Sequence, residues 1–406
     1  MTFNLDQEIS RQGTNSTKWE FEFGPNGAAY SDRSDPKYGA ERLLPMWVAD
    51  MDFRCPPAVV EALVARAQHG LFGYTTPTAD YYDAFIGWVQ RRHGWTVEAD
   101  WVVITPGVVP ALNMMVQTYT QPGDKILIQR PVYHPFTFAI ENNGRVVVSN
   151  SLVAENGRYS IDFDDFAAKA ADPDVKMFVL CSPHNPVGRV WTREELTRMG
   201  EICFANDVLV VSDEIHCDLI QPEYTFVPFG SISDEFAQRS ISCMAPSKTF
   251  NLAGLKTSHV MIPDVALRNK LNTFMNNLGV KGINAFGLVS TQTAYTHGDA
   301  WLDEVIGYIG DNYRYMASFL ADNLPQLCLS PLEGTYLSWL DCRALELDKD
   351  ELKALLYDQA HLFFNQGYVF GNEGDGFVRI NLACPRSLVV EAMDRLKTAV
   401  LSLQPA

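Results

Sequence analysis

Short apolar runs alternate with helical patterns through the middle of this sequence, and no other feature limits the fold as strongly. Seven runs have the length and composition of buried strands: residues 101–105, 125–129, 145–149, 176–181, 208–212, 240–244 and 259–262. Helical patterns such as 192–205 separate several of them. The alternation predicts an α/β fold with a mostly parallel seven-stranded sheet between layers of helices.

The two ends of the chain lack this alternation of strand and helix patterns. Residues 1–45 are polar and lack periodicity, which is typical of an arm that packs on another part of the molecule. After residue 282 come long helical patterns (282–296 and 299–323), two strand patterns (336–340 and 377–383) and a last helix over 386–403. We therefore expect an arm (1–45) that joins a small α+β domain (283–406), and a large domain over 46–282.

Composition excludes several classes of function. Lys and Arg number 32 against 49 Asp and Glu, and the net charge of −17 argues against nucleic-acid binding. The chain has neither a signal-peptide pattern nor an apolar run of the roughly 18–20 residues that span a bilayer. Its 8 cysteines are scattered singly, which is typical of reduced thiols. We expect a cytoplasmic protein without a membrane partner.

Polar groups follow the predicted strands at the edge where parallel sheets bind ligands. Gly107 follows the first run and precedes a helical pattern, so the N–H groups of Val108 and Val109 are candidates to bind an anion. Tyr133 follows the second run, where its ring could stack on a planar ligand. Each feature also has a plain structural interpretation, as a turn glycine or a tyrosine packed on the core.

Three further strand ends carry Asn185, Asp213 and Lys248. Alone, an Asn before Pro often satisfies only its own backbone, and a lysine is usually solvated. Together with the groups above they form a specific set. A buried lysine of lowered pKa forms Schiff bases, and an acid holds a ring nitrogen protonated. With an aromatic ring to stack and N–H groups for phosphate, the set predicts pyridoxal 5′-phosphate as the cofactor.

A metal site is the alternative interpretation of part of this region. Six potential ligands come from two neighbouring strand ends: Asp213, Glu214, His216, Cys217, Cys181 and His184. Their spacing does not resemble a known zinc arrangement, and the histidine need not face the acids. We therefore expect no metal.

At the level of whole motifs the sequence resembles the MalY/PatB subgroup of cystathionine β-lyases, within the fold-type I class I/II aminotransferase superfamily. The resemblance covers almost the whole chain. The matching segments are Lys18-Trp19, Trp47-Val48-Ala49-Asp50-Met51-Asp52-Phe53, Phe72-Gly73-Tyr74, Asn185-Pro186-Val187-Gly188, Asp213-Glu214-Ile215-His216, Ser247-Lys248-Thr249-Phe250-Asn251, Trp301-Leu302 and Glu333-Gly334-Thr335-Tyr336. The Trp47–Phe53 stretch and His216, where ordinary aminotransferases usually have tyrosine, distinguish the subgroup.

The resemblance implies roles for the cofactor-binding residues. Lys248 would form the Schiff base and shuttle the α-proton, and Asp213 would pair with the pyridinium nitrogen. The other implied cofactor ligands are Asn185 and His216 at the phenolic oxygen, Tyr133 on the ring face, and Gly107, Val108, Val109, Ser247 and Lys256 around the phosphate. Two positions depart from the superfamily signature: Ala245 stands where Ser or Gly is usual, and Lys256 replaces an arginine.

The resemblance also implies a substrate site and an assembly. Arg379 would bind the α-carboxylate of an amino-acid substrate, because a guanidinium pairs with a carboxylate through two hydrogen bonds. Trp47, Ala49, Asn185 and Tyr336 would line the rest of the substrate site. Tyr74 would reach the phosphate of the neighbouring subunit's cofactor, which makes a homodimer with shared active sites the functional unit.

The implied activity is a pyridoxal-phosphate-dependent carbon–sulfur β-lyase. Such an enzyme converts L-cystathionine, or a related S-substituted cysteine, to a thiol, pyruvate and ammonia, and a lyase that releases homocysteine would serve methionine biosynthesis. An aminotransferase uses every residue named above and is the alternative. A binding or regulatory protein that retains the cofactor site is a third interpretation.

Overall fold

The computed structural model describes residues 3–24, 27–30, 43–155, 157–280 and 282–403. Its strands, in chain order, are β1 (Phe21–Gly24), β2 (Gly27–Tyr30), β3 (Leu44–Pro45), β4 (Val102–Thr105), β5 (Lys125–Ile128), β6 (Val146–Ser149), β7 (Val153–Glu155), β8 (Arg158–Ser160), β9 (Val175–Cys181), β10 (Leu209–Asp213), β11 (Ser240–Met244), β12 (Ser258–Met261), β13 (Cys328–Leu329), β14 (Leu337–Asp341), β15 (Leu362–Phe363), β16 (Asn365–Gln366) and β17 (Phe377–Asn381).

The α-helices are α1 (Thr17–Glu20), α2 (Pro57–His69), α3 (Ala79–His93), α4 (Val108–Tyr119), α5 (Pro135–Glu141), α6 (Phe163–Ala170), α7 (Arg193–Ala205), α8 (Asp234–Gln238), α9 (Pro246–Thr249), α10 (Val265–Asn277), α11 (Ala285–His297), α12 (Asp299–Asn323), α13 (Lys349–Ala354) and α14 (Arg386–Ser402). In the described ranges, no helix is both long and apolar enough to cross a membrane.

The central sheet has seven strands in the order β4-β12-β11-β10-β9-β5-β6. The predicted α/β fold with a mostly parallel sheet is confirmed. Strand β12 is the exception, because it runs antiparallel to both β11 and β4. The chain between β11 and β12 contains no long crossover helix, and parallel pairing would require one.

Side chains of the central strands alternate between two apolar cores, one on each face of the sheet. Ile126 and Val179 pack into the core formed with α4 and α10, whereas Leu127 and Phe178 pack into the core formed with α6 and α7. Strands buried on both faces are typical of parallel sheets. This arrangement leaves the strand ends as the places where polar groups can meet a ligand.

A second sheet of four antiparallel strands, in the order β13-β14-β17-β16, lies in the C-terminal part of the chain. Arg379 stands in the middle of β17, opposite Trp339 of β14 and Asn365 of β16. The long helices α12 and α14 pack against each other beside this sheet. A buried arginine in the middle of a strand needs polar partners, and the candidate site supplies them.

The N-terminal residues pack on the C-terminal part of the molecule. The N–H of Phe3 donates to Glu304 in α12 at 2.8 Å, and Ser387 in α14 donates to Glu8 at 2.6 Å. Helix α11 instead packs against α2 and α3. The division into an arm and two domains at residues 45 and 282 stays a prediction.

Candidate active site

Lys248 lies in the short helix α9, just beyond the end of β11. Its half-buried ammonium group donates to the carbonyl of Ala49 at 2.6 Å. Burial lowers its pKa to about 8, and the positive charge of Arg379 acts in the same direction, against the opposing effect of Asp50 and Asp213. A lysine in these surroundings loses its proton far more readily than one in water.

Asp213 is the last residue of β10, and its side chain is buried. One carboxylate oxygen accepts the N–H of Ile215 at 3.1 Å. Strand neighbours Cys181 and Cys243 stand opposite it on the two sides, so the carboxylate lies in weakly polar surroundings. Burial raises its pKa to about 7, although the Ile215 hydrogen bond and the charge of Lys248 oppose this. Such a carboxylate gains strongly from a cationic partner.

Arg379 is buried, and its guanidinium joins several parts of the chain. Nη1 donates to the side-chain oxygen of Asn185 at 3.0 Å. Nη2 donates to the carbonyl of Trp47 at 2.8 Å and to Asn365 at 2.5 Å. Nε has no partner among the residues that the structure describes, and the guanidinium lies 4.8 Å from the centre of the Phe370 ring. Burial lowers the pKa of Arg379 to about 10. The Nε–H group leaves the guanidinium able to donate a further hydrogen bond to an anion.

Asn185 connects Arg379 to Tyr133. Its carbonyl accepts the N–H of Tyr133 at 3.1 Å, while its side-chain oxygen is bonded to Arg379. Burial raises the pKa of Tyr133, so its phenol stays neutral near pH 7. The structure therefore brings together three of the predicted site residues, two from loops that follow strands and one from strand β17.

His216 and Tyr336 form an edge-to-face pair with ring centres 5.9 Å apart. The Nδ1 atom of His216 is buried and finds no partner within the described ranges, and burial holds the pKa of this histidine well below its ordinary value. The hydroxyl of Tyr336 donates to the carbonyl of Ala49 at 2.8 Å, the same oxygen that Lys248 contacts. Ala49 and Tyr336 thus lie directly beside Lys248.

Helix α4 begins at the end of β4 with a turn at Gly107. The φ of Gly107 is +144°, a conformation that residues with a side chain rarely adopt. No side chain caps the helix, and Val108 and Val109 are its first residues. The first N–H groups of a helix lack intrahelical partners and carry a partial positive charge. The turn therefore presents uncapped helix N–H groups at the end of β4, and the anion site there stays a prediction.

Within the part of the chain that the structure describes, the side chains of Ser247, Lys256 and Tyr74 form no hydrogen bond to this group, and Trp47 joins it through its backbone. Ser247 is half-buried next to Lys248, and Lys256 is exposed but close enough to lower the pKa of Lys248. Tyr74 is fully exposed in the single chain, and its contact with another subunit stays a prediction. The indole of Trp47 turns away from Arg379, because it donates to the carbonyl of Lys18 at 3.1 Å and stacks on Phe363. Trp47 meets Arg379 through its backbone carbonyl only.

Two asparagines that hold this region together were not among the predicted site residues. Asn365 bonds Arg379, and Asn381 donates to the carbonyls of Val48 and Asp50 at 2.6 Å each. Asn381 comes two residues after Arg379 in β17, so both side chains lie on one face of the strand. This spacing of two residues in a predicted strand was the sequence feature that could have identified Asn381.

The predicted alternative metal ligands do not converge. Among the residues that the structure describes, the group with metal-ligand atoms within mutual reach is His93, Cys217 and Asp218. Its carboxylate is already satisfied by Trp88 and His93, at 2.9 and 2.8 Å, and by Thr249. His184, a member of the alternative set, bonds the carbonyl of Pro131 instead.

The groups described here fit pyridoxal phosphate. The uncapped helix start suits its phosphate, the buried Asp213 suits its ring nitrogen, and the amine of Lys248 suits its aldehyde. The unpartnered Nδ1 of His216 and Nε of Arg379 are buried polar atoms that a bound ligand would satisfy. All of these atoms belong to segments that follow strands or, for Arg379, to a strand itself.

Comparisons with known proteins agree with this arrangement. The family model for aminotransferase class I and II matches residues 43–396. The chain is 43% identical to cystathionine beta-lyase PatB of Bacillus subtilis, over 98% of this chain and 100% of that protein. It is 32% identical to protein MalY of Escherichia coli, over 99% of this chain and 100% of that protein.

Among solved structures, the chain is similar to cystalysin from Treponema denticola, whose crystal structure contains a pyridoxal 5′-phosphate cofactor. The TM-score is 0.94 and the sequence identity 37%, and the match covers 100% of both chains.

Proposed function

Because this chain belongs to the class I and II aminotransferase family, we propose that it is a pyridoxal-phosphate-dependent carbon–sulfur β-lyase. The predicted relationship to PatB and MalY is confirmed. The substrate class is L-cystathionine and related S-substituted cysteines, and the products are a thiol, pyruvate and ammonia. For cystathionine the thiol is homocysteine, which places the reaction in methionine biosynthesis.

The cofactor is pyridoxal 5′-phosphate, and the residues of the site divide its binding among them. Lys248 would hold its aldehyde carbon, Asp213 its ring nitrogen, and Tyr133 its ring face. The remaining cofactor contacts would come from Asn185 and His216 at the phenolic oxygen, and from Gly107, Val108, Val109, Ser247 and Lys256 at the phosphate. When bound, this cofactor draws away the electrons that proton loss leaves on the substrate's α-carbon.

One observation carries the proposal: the proposed base and the carboxylate-binding cation contact carbonyls only two residues apart. Lys248 bonds the carbonyl of Ala49, and Arg379 bonds that of Trp47. A substrate held by its α-carboxylate at Arg379 therefore lies beside the Lys248 amine. The guanidinium would exchange its bonds to neutral oxygens for stronger, charge-assisted bonds to the substrate.

Lys248 then acts as the base for the α-proton. Its pKa of about 8 means that an appreciable fraction of the amine is neutral near pH 7, as a base requires. The α-carbon loses its proton to Nζ, the bond between the β-carbon and sulfur breaks, and sulfur leaves with the electron pair. A carbon–carbon double bond forms, and the released fragment reacts with water to give pyruvate and ammonia.

The test combines a spectrum with product analysis. Purified protein should absorb near ~420 nm, the usual band of this cofactor on a protonated lysine. Added L-cystathionine should then yield thiol and pyruvate in equal amounts. Lys248→Ala should abolish pyruvate release while circular dichroism and the melting temperature show an intact fold. Appreciable turnover by that variant would refute the assignment of the base.

The other outcomes discriminate between functions. The absorbance band without thiol, together with a keto acid and the amine form of the cofactor, would replace the proposal by transamination. Absence of the band even after pyridoxal phosphate is added would exclude the cofactor itself.

We also propose that the working unit is a homodimer in which Tyr74 of one subunit reaches the phosphate site of the other. The support comes from the exposed side chains next to Tyr74 in the sequence. Leu71, Phe72 and Tyr74 are all exposed in the single chain, and a run of exposed apolar side chains usually marks an interface. The cytoplasm is the proposed location, because the 8 cysteines are free thiols, which reducing compartments preserve.

A further inference from the structure

Four charged side chains and one indole form a partly buried cluster where the N-terminal residues meet residues 50–52. We call it the arm cluster: Arg11, Lys18, Asp50, Asp52 and Trp19. Lys18 is 0% exposed, and its Nζ lies 2.6 Å from a carboxylate oxygen of Asp52. The other oxygen of Asp52 accepts the indole N–H of Trp19 at 2.8 Å. Arg11 holds the carboxylate of Asp50 through two bonds, at 2.8 and 3.0 Å.

The two acids of the cluster belong to a segment that crosses the active site, residues 47–52, which we call the strap. Its side chains at positions 50 and 52 face the arm, whereas the carbonyls of residues 47–50 accept hydrogen bonds from side chains of the site; the Asp50 carbonyl also lies 3.4 Å from Nζ of Lys18. The carbonyls accept hydrogen bonds as follows: Trp47 from Arg379 at 2.8 Å, Val48 and Asp50 from Asn381 at 2.6 Å each, and Ala49 from Lys248 at 2.6 Å and from Tyr336 at 2.8 Å. The strap thus connects the arm cluster to the carbonyls that bond the side chains of the site.

The charges explain why the strap depends on the arm. A buried carboxylate is tolerated when a cation and hydrogen-bond donors surround it, and it seeks water when one is removed. Loss of the Lys18 charge would remove the shortest bond to Asp52 and leave this buried carboxylate with the longer contact to Arg11, at 3.2 Å, and the Trp19 N–H. The strap would then move toward solvent and take the Ala49 carbonyl with it.

The Ala49 carbonyl matters because it orients the amine of Lys248. A neutral amine has two N–H bonds and one lone pair, and fixing one N–H restricts where the lone pair points. Proton transfer requires the reacting atoms to be aligned, and a misplacement of about 1 Å can cost about a hundredfold in rate.

We propose that the arm cluster is a positioning device for proton transfer: through the strap it holds the Ala49 carbonyl that orients Lys248. This inference rests on the proposed function, since it concerns the step in which Lys248 takes the α-proton. Arg11, Lys18 and Asp52 are positioning residues, because they touch the strap or one another and not the reacting atoms.

The experiment uses the pyridoxal-phosphate-loaded enzyme and L-cystathionine carrying hydrogen or deuterium at the α-carbon. Lys18→Met should lower kcat about 10- to 100-fold and raise the deuterium isotope effect on kcat, because proton transfer becomes the slow step. The matched control is Arg145→Met. Arg145 is another buried cation, and its guanidinium bonds Thr120 and Asn143, which lie outside the site.

The control should lose thermal stability and keep the kcat and isotope effect of the wild type. A Lys18→Met variant that loses stability but keeps the wild-type isotope effect would overturn the inference, because a merely structural role predicts that result. Should Lys18→Met not fold, Arg11→Met replaces it. Arg11 is partly exposed, and its loss should shift kcat and the isotope effect in the same direction by a smaller factor.

A second readout needs no cofactor. In the wild type the N–H of Met51 donates to Asn251 at 3.0 Å and that of Asp52 to the carbonyl of Ala383 at 2.9 Å. Both amides should exchange with deuterium faster in cofactor-free Lys18→Met than in wild type or Arg145→Met, and equal rates would contradict the inference. A wild type that forms no pyruvate from cystathionine or from another S-substituted cysteine would refute the proposed function. An active wild type with Lys18→Met matching Arg145→Met would refute only this inference.

Discussion

At the scale of single residues, burial changes the acid–base behaviour of the site's side chains. Lys248 and Arg379 become weaker bases, with pKa values lowered to about 8 and about 10, because burial penalises their cationic forms. Asp213 becomes a weaker acid for the same reason, with a pKa raised to about 7. These directions favour a bound cofactor that carries a positive charge near Asp213 and an aldehyde near Lys248.

The pKa of Lys248 predicts how the cofactor-free protein should capture pyridoxal phosphate. The neutral amine is the nucleophile, so the capture rate should rise with pH and level off above about 8, instead of near the ordinary lysine value of 10.5. The measurement is the rate of borohydride-trapped cofactor against pH, with Lys248→Ala as the blank. A midpoint near that of free lysine would show that burial does not depress this pKa.

At the scale of elements, the junction of β4 and α4 makes a phosphate site from backbone alone. Gly107 adopts a conformation that is essentially restricted to glycine, and the helix that follows has no side-chain cap. Strand β4 fixes where the turn lies, and the apolar face of α4 packs Ala111, Leu112 and Met115 into the core. The N–H groups are therefore presented by a rigid frame.

Gly107→Ala should weaken cofactor binding. Space for a methyl group exists, since the nearest atom to an added Cβ is Pro110 Cδ at 3.5 Å, so the cost comes from backbone strain. About 1–3 kcal/mol of strain corresponds to roughly 5- to 150-fold weaker binding if the turn relaxes away from the phosphate. The measurement is titration of cofactor-free protein with pyridoxal phosphate.

Gly94→Ala is the matched control. Gly94 also has a positive φ, +67°, and an added Cβ there meets nothing within 4 Å. It ends α3 and has no contact with the site, so that variant should lose stability without losing affinity for the cofactor. Equal affinities in all three proteins would refute the role of the Gly107 turn.

At the scale of the whole molecule, buried ion pairs join loops from different parts of the chain. The carboxylate of Glu333 bonds Arg189 at 3.0 Å and Arg158 at 2.9 Å, and it also accepts the N–H of Val190 at 2.9 Å. These contacts fix the loop that carries Tyr336 against the loop that carries Asn185. The arm cluster does the same for the strap. Hydrogen bonds and ion pairs between residues far apart in the chain thus assemble the site next to the two sheets.

The proposed homodimer predicts complementation between two inactive variants. Tyr74→Ala should lose activity because the partner's phosphate site lacks a ligand, and Lys248→Ala should lose it because the base is missing. In a hybrid dimer one of the two sites contains both substitutions and the other contains neither.

Mixing the two variants after dissociation should therefore restore about a quarter of the wild-type activity, since about half of the dimers are hybrids. Mixing Lys248→Ala with Asp213→Ala is the control. Both of those residues would serve the same subunit's site, so that mixture should stay inactive. A failure of the first mixture to exceed the second would refute a shared active site.

The sequence alone determined the sheet strands and most of the chemistry at their ends. Buried strands read from apolar runs match the structure to within about two residues, because a strand covered on both faces leaves a continuous apolar run. Lys248, Asp213 and Asn185 were predicted as site residues because each comes within four residues of the end of such a run. Parallel strands place those ends at one edge.

Tertiary structure alone decided the rest. The reversed direction of β12, the strap and the arm cluster leave no local pattern, because each depends on residues far apart in the chain. Lys248 and the Ala49 carbonyl are separated by 199 residues, and Arg379 and Asn185 by 194. A hydrogen bond over such a distance forms only when the whole core fixes both partners. Sequence periodicity reports which face a residue occupies, and it carries no information about which distant group will meet it there.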